Sequence, residues 1–178
     1  TKPISPMSWN SGSQLTPLLA KLLQLTISKK RLKNKHMKEK TFVMFKPDAM
    51  QRELAGELIA RLERKGLVLV AAKMVQLNDA MLKAHYSQYV DKPFFPRIVE
   101  FMKRSPCLAT VWEGVDAVKV VRDVLGPTNG RNAPAGTIRG DYSVSLQCNL
   151  IHASDSVETA NAEISRFFKS SEIVSWTK

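Results

Sequence analysis

The sequence predicts an α+β domain in which helices cover a four-stranded antiparallel sheet. Two observations carry this. Apolar residues alternate between short β-rich runs and stretches with helical spacing, and the order of these segments reduces to β-α-β-β-α-β. The chain of 178 residues is long enough for one domain with a real core and too short for two ordinary ones.

Thr41–Lys46 is β-branched and aromatic and ends at Pro47, as a strand would. Gln51–Lys65 places Leu54, Leu58, Ile59 and Leu62 on one helical face, with Arg64 and Lys65 at its C-terminus and Gly66 at C′. Leu67–Leu77 is mostly apolar and reads as a strand buried on both sides. Asn78–Tyr89 and Phe95–Arg104 read as helices, Cys107–Trp112 as the third strand and Val115–Leu125 as a helix closed by Gly126. Leu125–Gly140 is a long loop holding four of the eight glycines. Tyr142–Gln147 is the fourth strand. Ser156–Phe168 is a helix, with Asp155 and Glu158 as its capping box. Together these form the ferredoxin-like split arrangement, with a long Gly/Pro loop before the last strand.

The net charge of +11 is unevenly spread. Residues 1–38 hold eight Lys or Arg and no acid, so the remainder carries only +3. A nucleic-acid-binding protein would spread this charge over a face of its fold, so no specific nucleic acid is expected. Residues 1–39 form a separate basic leader before a domain at 40–178. Its Leu18, Leu19, Leu22, Leu23 and Leu25 with Lys21, Lys29, Lys30 and Arg31 make a short amphipathic stretch. This composition suits a mitochondrial targeting sequence, or a disordered tail able to touch anionic membrane. Without targeting, the protein would be cytoplasmic. No run approaches the roughly 20 apolar residues of a membrane span. Cys107 and Cys148, both in apolar runs, read as two buried, reduced thiols.

His152 is the residue with the clearest chemistry. It directly follows the predicted last strand and precedes a helix N-terminus, where an imidazole can meet a phosphate drawn to the helix dipole. Its surroundings are cationic. Lys46 ends the first strand, Arg122 precedes the long loop, Thr128 lies within it and Arg139 closes it. Guanidinium groups grip phosphate oxygens bidentately, and a threonine adds a hydroxyl donor.

Five blocks in order carry a resemblance: Lys46-Pro47-Asp48, Lys92-Pro93-Phe94-Phe95, Val111-Trp112-Glu113-Gly114, Gly136-Thr137-Ile138-Arg139-Gly140-Asp141, and Asn149-x-x-His152-Ala153-Ser154-Asp155. Over residues 40–176 the sequence resembles the nucleoside diphosphate kinase family, and Ala153 with the 170–176 segment is similar to its mitochondrial branch. The resemblance implies a ping-pong kinase that moves the γ-phosphate of a nucleoside triphosphate to a nucleoside diphosphate. It implies His152 as the phosphorylated nucleophile and Glu163 as the residue that orients it. Tyr86 and Lys46 would reach the transferred phosphoryl group, and Ser154 would support the site. Arg122, Thr128 and Arg139 would bind the phosphates, while Lys46 and Asn149 would bond the sugar hydroxyls. Phe94 would stack on the base, with Leu146 near its other face. Mg²⁺ would bridge the phosphates, with Asp155 its partner through water. A homohexamer is also implied, held in part by the long loop. Ala49, Lys92, Gln147-Cys148 and Gly130-Arg131-Asn132 depart from the family's commonest wording without removing any of these groups. The other function class the residues allow is a catalytically silent nucleotide-binding or membrane-bridging protein on the same fold.

Overall fold

The structure is a computed structural model that describes residues 38–175. The leader, including its targeting and membrane readings, lies outside the described residues apart from its last two positions. The described strands form one sheet in the order β2-β3-β1-β4, with every pairing antiparallel. They are β1 (Lys38–Phe45), β2 (Val68–Val75), β3 (Cys107–Val115) and β4 (Ile151–Ala153). The four-stranded α+β fold is therefore the one expected.

β1 and β3 form the centre, in register from Lys38 opposite Val115 to Phe45 opposite Leu108. Strand side chains alternate between faces. Phe42 and Met44 of β1 join one core with Val111 and Ala109 of β3. Val43 and Phe45 join the other with Trp112. Both faces are thus apolar, and each needs its own helices. The first is covered by α3 (Asp79–His85), α4 (Phe95–Met102) and α7 (Val157–Phe167) through Leu82, Phe101 and Phe167. The second is covered by α2 (Ala55–Arg64) and α5 (Ala117–Leu125) through Leu58, Leu62 and Val121. The remaining α-helices among the described residues are the short α1 (Pro47–Gln51) and α6 (Ile138–Tyr142).

Several expectations are corrected. The first predicted helix is two, because Glu53 at φ 57 turns the chain between α1 and α2. β2 is an edge strand with Met74 exposed, not a strand buried on both sides. Tyr142–Gln147 is not the fourth strand. Ser143 Oγ donates to the Cys148 carbonyl at 2.8 Å, and Ser145 Oγ accepts from the Gln147 and Cys148 amides at 3.2 and 3.1 Å. These side chains offer the backbone turns in place of a ladder. The fourth strand is Ile151–Ala153, so His152 sits within it rather than after it. Cys107 is buried, but Cys148 lies exposed in this irregular segment. The cap of α7 is Ser156, whose Oγ accepts from the Thr159 amide at 3.0 Å, and not Asp155.

The long loop is partly structured and tightly closed. It contains a 3₁₀ turn at Gly130–Asn132 and runs into α6. Gly140 marks the closure: a Cβ there would lie 1.9 Å from the Pro134 carbonyl oxygen.

Candidate active site

β4 pairs with β1 so that His152 lies opposite Met44, two residues before Lys46. α7 packs across β1 and brings Glu163 to the same place. A cavity of about 410 Å³ opens here, lined by residues from the ends of β1 and β4, from α5, and from the loop before β4. Lys46, Tyr86, Arg122, Thr128, Arg139, Asn149, His152, Ser154, Asp155 and Glu163 all line it. Residues spread over 118 positions of sequence thus meet at one end of the sheet.

The imidazole is held by a carboxylate. His152 Nε2 lies 2.8 Å from Glu163 Oε1, and Ser154 Oγ donates to Glu163 Oε2 at 2.5 Å. An ionised carboxylate only accepts, so Nε2 carries the proton and Nδ1 keeps a free lone pair. Burial would raise the Glu163 carboxyl, but the hydrogen bonds and charge of His152, with Ser154, outweigh it and hold it below the usual carboxylate range. Glu163 therefore stays an anion beside the ring, and His152 keeps one tautomer.

Sequence reasoning missed His85. It is buried, its ring centroid is 4.6 Å from that of His152 and edge-on to it, and its Nδ1 is 3.6 Å from Glu163 Oε1. Arg166 NH1 lies 3.2 Å from the same Nδ1, which must then be the acceptor. Burial, with the His152 and Arg166 charges, pushes His85 down to about 3. It is a neutral wall beside the His152 ring. The donor atoms of His85, His152 and Glu163 lie within 4.8 Å of one another, close enough to share a metal, but the adjoining guanidinium opposes a cation there. No sequence signal marks this pairing, because His85 and Arg166 come from different helices.

The cations are arranged differently from expectation in detail. Lys46 Nζ donates to Asn149 Oδ1 at 2.7 Å and to the Gln147 carbonyl at 2.6 Å. Asn149 Nδ2 donates to the Thr128 and Leu146 carbonyls at 2.9 and 2.8 Å. The two residues expected to bond a sugar thus bond each other, and Lys46 Nζ also lies 4.9 Å from the centroid of the Phe101 ring. Arg139 donates to the Gly126, Ile151 and Asn149 carbonyls at 2.7, 2.6 and 3.3 Å, which staples the long loop to β4. Burial pushes Lys46 down to about 8, against Asp48, and pushes Arg139 down to about 10 with help from Arg122. A buried cation cluster of this kind favours an anion strongly. Tyr86 is also pushed up by burial and keeps its proton.

Phe94 is the one predicted residue that does not line the cavity. Its ring is 45% exposed and lies 5.6 Å from that of Tyr89, which does line it. Leu146 lies on the cavity rim, also exposed. Asp155 is an exposed carboxylate at the mouth.

Comparison with known proteins agrees with this geometry. The family model described as nucleoside diphosphate kinase matches residues 39–173. A nucleoside diphosphate kinase of Parabacteroides distasonis is 56% identical over 135 residues, which are 76% of this chain and 88% of that protein. A protein of Columba livia named nucleoside diphosphate kinase, mitochondrial, is 47% identical over 79% of this chain and 77% of its own length. Among solved structures, a halophilic nucleoside diphosphate kinase from Halobacterium salinarum in complex with CDP is similar with a TM-score of 0.77 and 44% identity, covering 80% of this chain and 95% of that one.

Proposed function

The chain belongs to the nucleoside diphosphate kinase family, and from that premise we propose how its own residues carry the reaction. The enzyme transfers the γ-phosphate of a nucleoside triphosphate to a nucleoside diphosphate in two steps. Nδ1 of His152 attacks the γ-phosphorus in line, and a new N–P bond forms as the bond to the β-phosphate oxygen breaks. The departing diphosphate takes that bond's electron pair. A second diphosphate then enters the same cavity, and its terminal oxygen takes the phosphoryl group back from nitrogen. One site serving both nucleotides gives ping-pong kinetics.

The observation that carries this reading is the 2.8 Å contact between His152 Nε2 and Glu163 in a cavity lined with cations. When Nδ1 bonds to phosphorus while Nε2 keeps its proton, the ring becomes cationic. The Glu163 carboxylate therefore stabilises the phosphorylated ring more than the free one, and that difference accelerates the step. Ser154 holds the other carboxylate oxygen and fixes its direction. Lys46, Arg122 and Arg139 meet the charge spread over the transferring oxygens, and Tyr86 donates its hydroxyl to them. Thr128 adds a hydroxyl to the phosphate cradle. Asn149 positions Lys46 and takes a sugar hydroxyl with it. Phe94, exposed and beside Tyr89 of the cavity wall, would offer its face to the base, and since every base has a face to stack, base selectivity is low.

A divalent metal accompanies the nucleotide, and Mg²⁺ fits this donor set. Among the described residues, the one free carboxylate lining the cavity is Asp155, since Glu163 is committed to His152 and Ser154. Such a site suits a hydrated ion carried by phosphates and touched by one carboxylate, not a cage built by protein. The ion neutralises phosphate charge when bound. We also infer a homohexamer and a mitochondrial location. The name of the pigeon relative and the +8 charge of residues 1–38 support that location. The same charge supports contact with anionic membrane.

Steady-state rates with ATP against varied GDP, CDP or UDP test the proposal. Parallel double-reciprocal lines with all three acceptors, and no turnover by His152→Ala, are expected. Intersecting lines would refute a shared site and a phosphorylated intermediate.

A further inference from the structure

Asp48 belongs to the first sequence block but has no part in the chemistry above. It is 8% exposed, and its two oxygens have different fates. Oδ2 accepts from the Leu150 amide at 2.9 Å. Oδ1 is buried with no hydrogen-bond partner among the described residues. A carboxylate in that position is costly unless something nearby requires its charge.

Leu150 itself is strained. Its φ is 70, in the left-handed region that favours glycine, yet its side chain is fully buried. The Ile151 amide donates to the Asn149 carbonyl at 2.8 Å, closing a three-residue turn around Leu150. Turns of this kind with positive φ are rare and unfavourable. They persist only where surrounding contacts over-determine them. Here the Lys46 amide donates to the Leu150 carbonyl at 2.8 Å, and Asp48 grips the Leu150 amide. Both ends of the strained residue are therefore held by the segment Lys46-Pro47-Asp48. On one side of the turn Asn149 carries Lys46 Nζ, and two residues beyond it stands His152.

We propose that Asp48 is a positioning residue: its Oδ2, by gripping the Leu150 amide, locks the turn that aims His152 and Asn149. The proposal rests on the kinase reading for its effect on rate, but the turn is visible without turnover.

Two variants test it. Asp48→Asn keeps an oxygen to accept from Leu150, and Asp48→Ala removes it. Each is first checked for a folded circular dichroism spectrum. Amide hydrogen exchange at Leu150 reads the turn: Asn should keep its protection and Ala should lose it. In phosphotransfer, Asn should retain most of the kcat. Ala should lose about a hundredfold in kcat, the loss expected when a reacting group is misplaced by an ångström. Unchanged protection of Leu150 in the Ala variant, or a kcat equally low in both variants, would overturn the proposal. Failure of the wild type to phosphorylate His152 would sink the kinase reading while leaving the exchange result to decide on Asp48.

Discussion

Replacing Glu163 with Gln leaves the shape of the site and removes one charge. The amide oxygen can still accept from His152 Nε2, and the amide nitrogen can donate to Ser154 Oγ, whose hydroxyl can turn toward the Phe42 carbonyl 3.5 Å away. Packing is therefore retained, and what is lost is a charge-assisted hydrogen bond to a ring that becomes cationic. Such bonds contribute about 1.5–3 kcal/mol, against about 1 for a neutral one. Glu163 is 4% exposed, so water does little to screen the difference. With about 1.4 kcal/mol per decade, the bond's full value sets an upper bound of roughly 10- to 150-fold on the rate of phosphoenzyme formation. Rapid-quench measurement of the first half-reaction, with Mg²⁺-ATP in excess and no acceptor, gives that rate directly. Nucleotide affinity should hardly change, because Glu163 faces the ring and not the phosphates. A variant that phosphorylates at the wild-type rate, or one that loses only affinity, would refute the claim that this carboxylate stabilises the charged ring.

Other expectations concern stability and accessibility. His85 is held neutral down to about pH 3, whereas in the unfolded chain it takes a proton near 6.5. The unfolded state thus binds more protons in that window, so stability falls as pH drops from 6.5 toward 3, by up to about 1.4 kcal/mol per pH unit. Urea melts between pH 6.5 and 5, above the carboxylate range, should show this slope, and His85→Phe should flatten it. Gly140→Ala should lower the melting temperature by an amount equivalent to about 1–3 kcal/mol, because the new methyl meets the Pro134 carbonyl and the stapled loop must open. Scanning calorimetry would show no change if that closure were loose. Exposed Cys148 should react with Ellman's reagent in the folded protein, while Cys107, buried and pushed up to about 12, should react only on unfolding. Two fast-reacting thiols would contradict the burial of β3.

The centre of the fold was legible because β1 and β3 each carry a short, mostly apolar run that includes β-branched and aromatic residues, and α2 and α5 carry apolar faces at helical spacing. The end of the chain was not. Tyr142, Val144 and Leu146 alternate like a strand, yet Val144 is 83% exposed and Leu146 59%. The serines between them bond the local backbone and win over the ladder. The true strand, Ile151–Ala153, is too short to show a period. His152 stood out because a histidine beside a helix start within a specific motif is uncommon, while Glu163 was expected only through the family resemblance. The roles of His85 and Asp48 were hidden, since each depends on contacts with distant residues that no local pattern encodes. The loss of Phe94 from the cavity lining has the same origin: sequence places it in the block but not at the wall.

The central claim is that Nδ1 of His152 carries the phosphate, because Nε2 is committed to Glu163. Phosphorus NMR of the protein incubated with Mg²⁺-ATP and no acceptor, with peptide mapping of the phosphorylated site, tests it most directly. The account predicts a single phosphoramidate on His152, on the nitrogen nearer the main chain, stable in alkali, lost in acid, and discharged by GDP, CDP or UDP. Phosphate on Nε2, on another residue, or on none while nucleotide still binds, would contradict it.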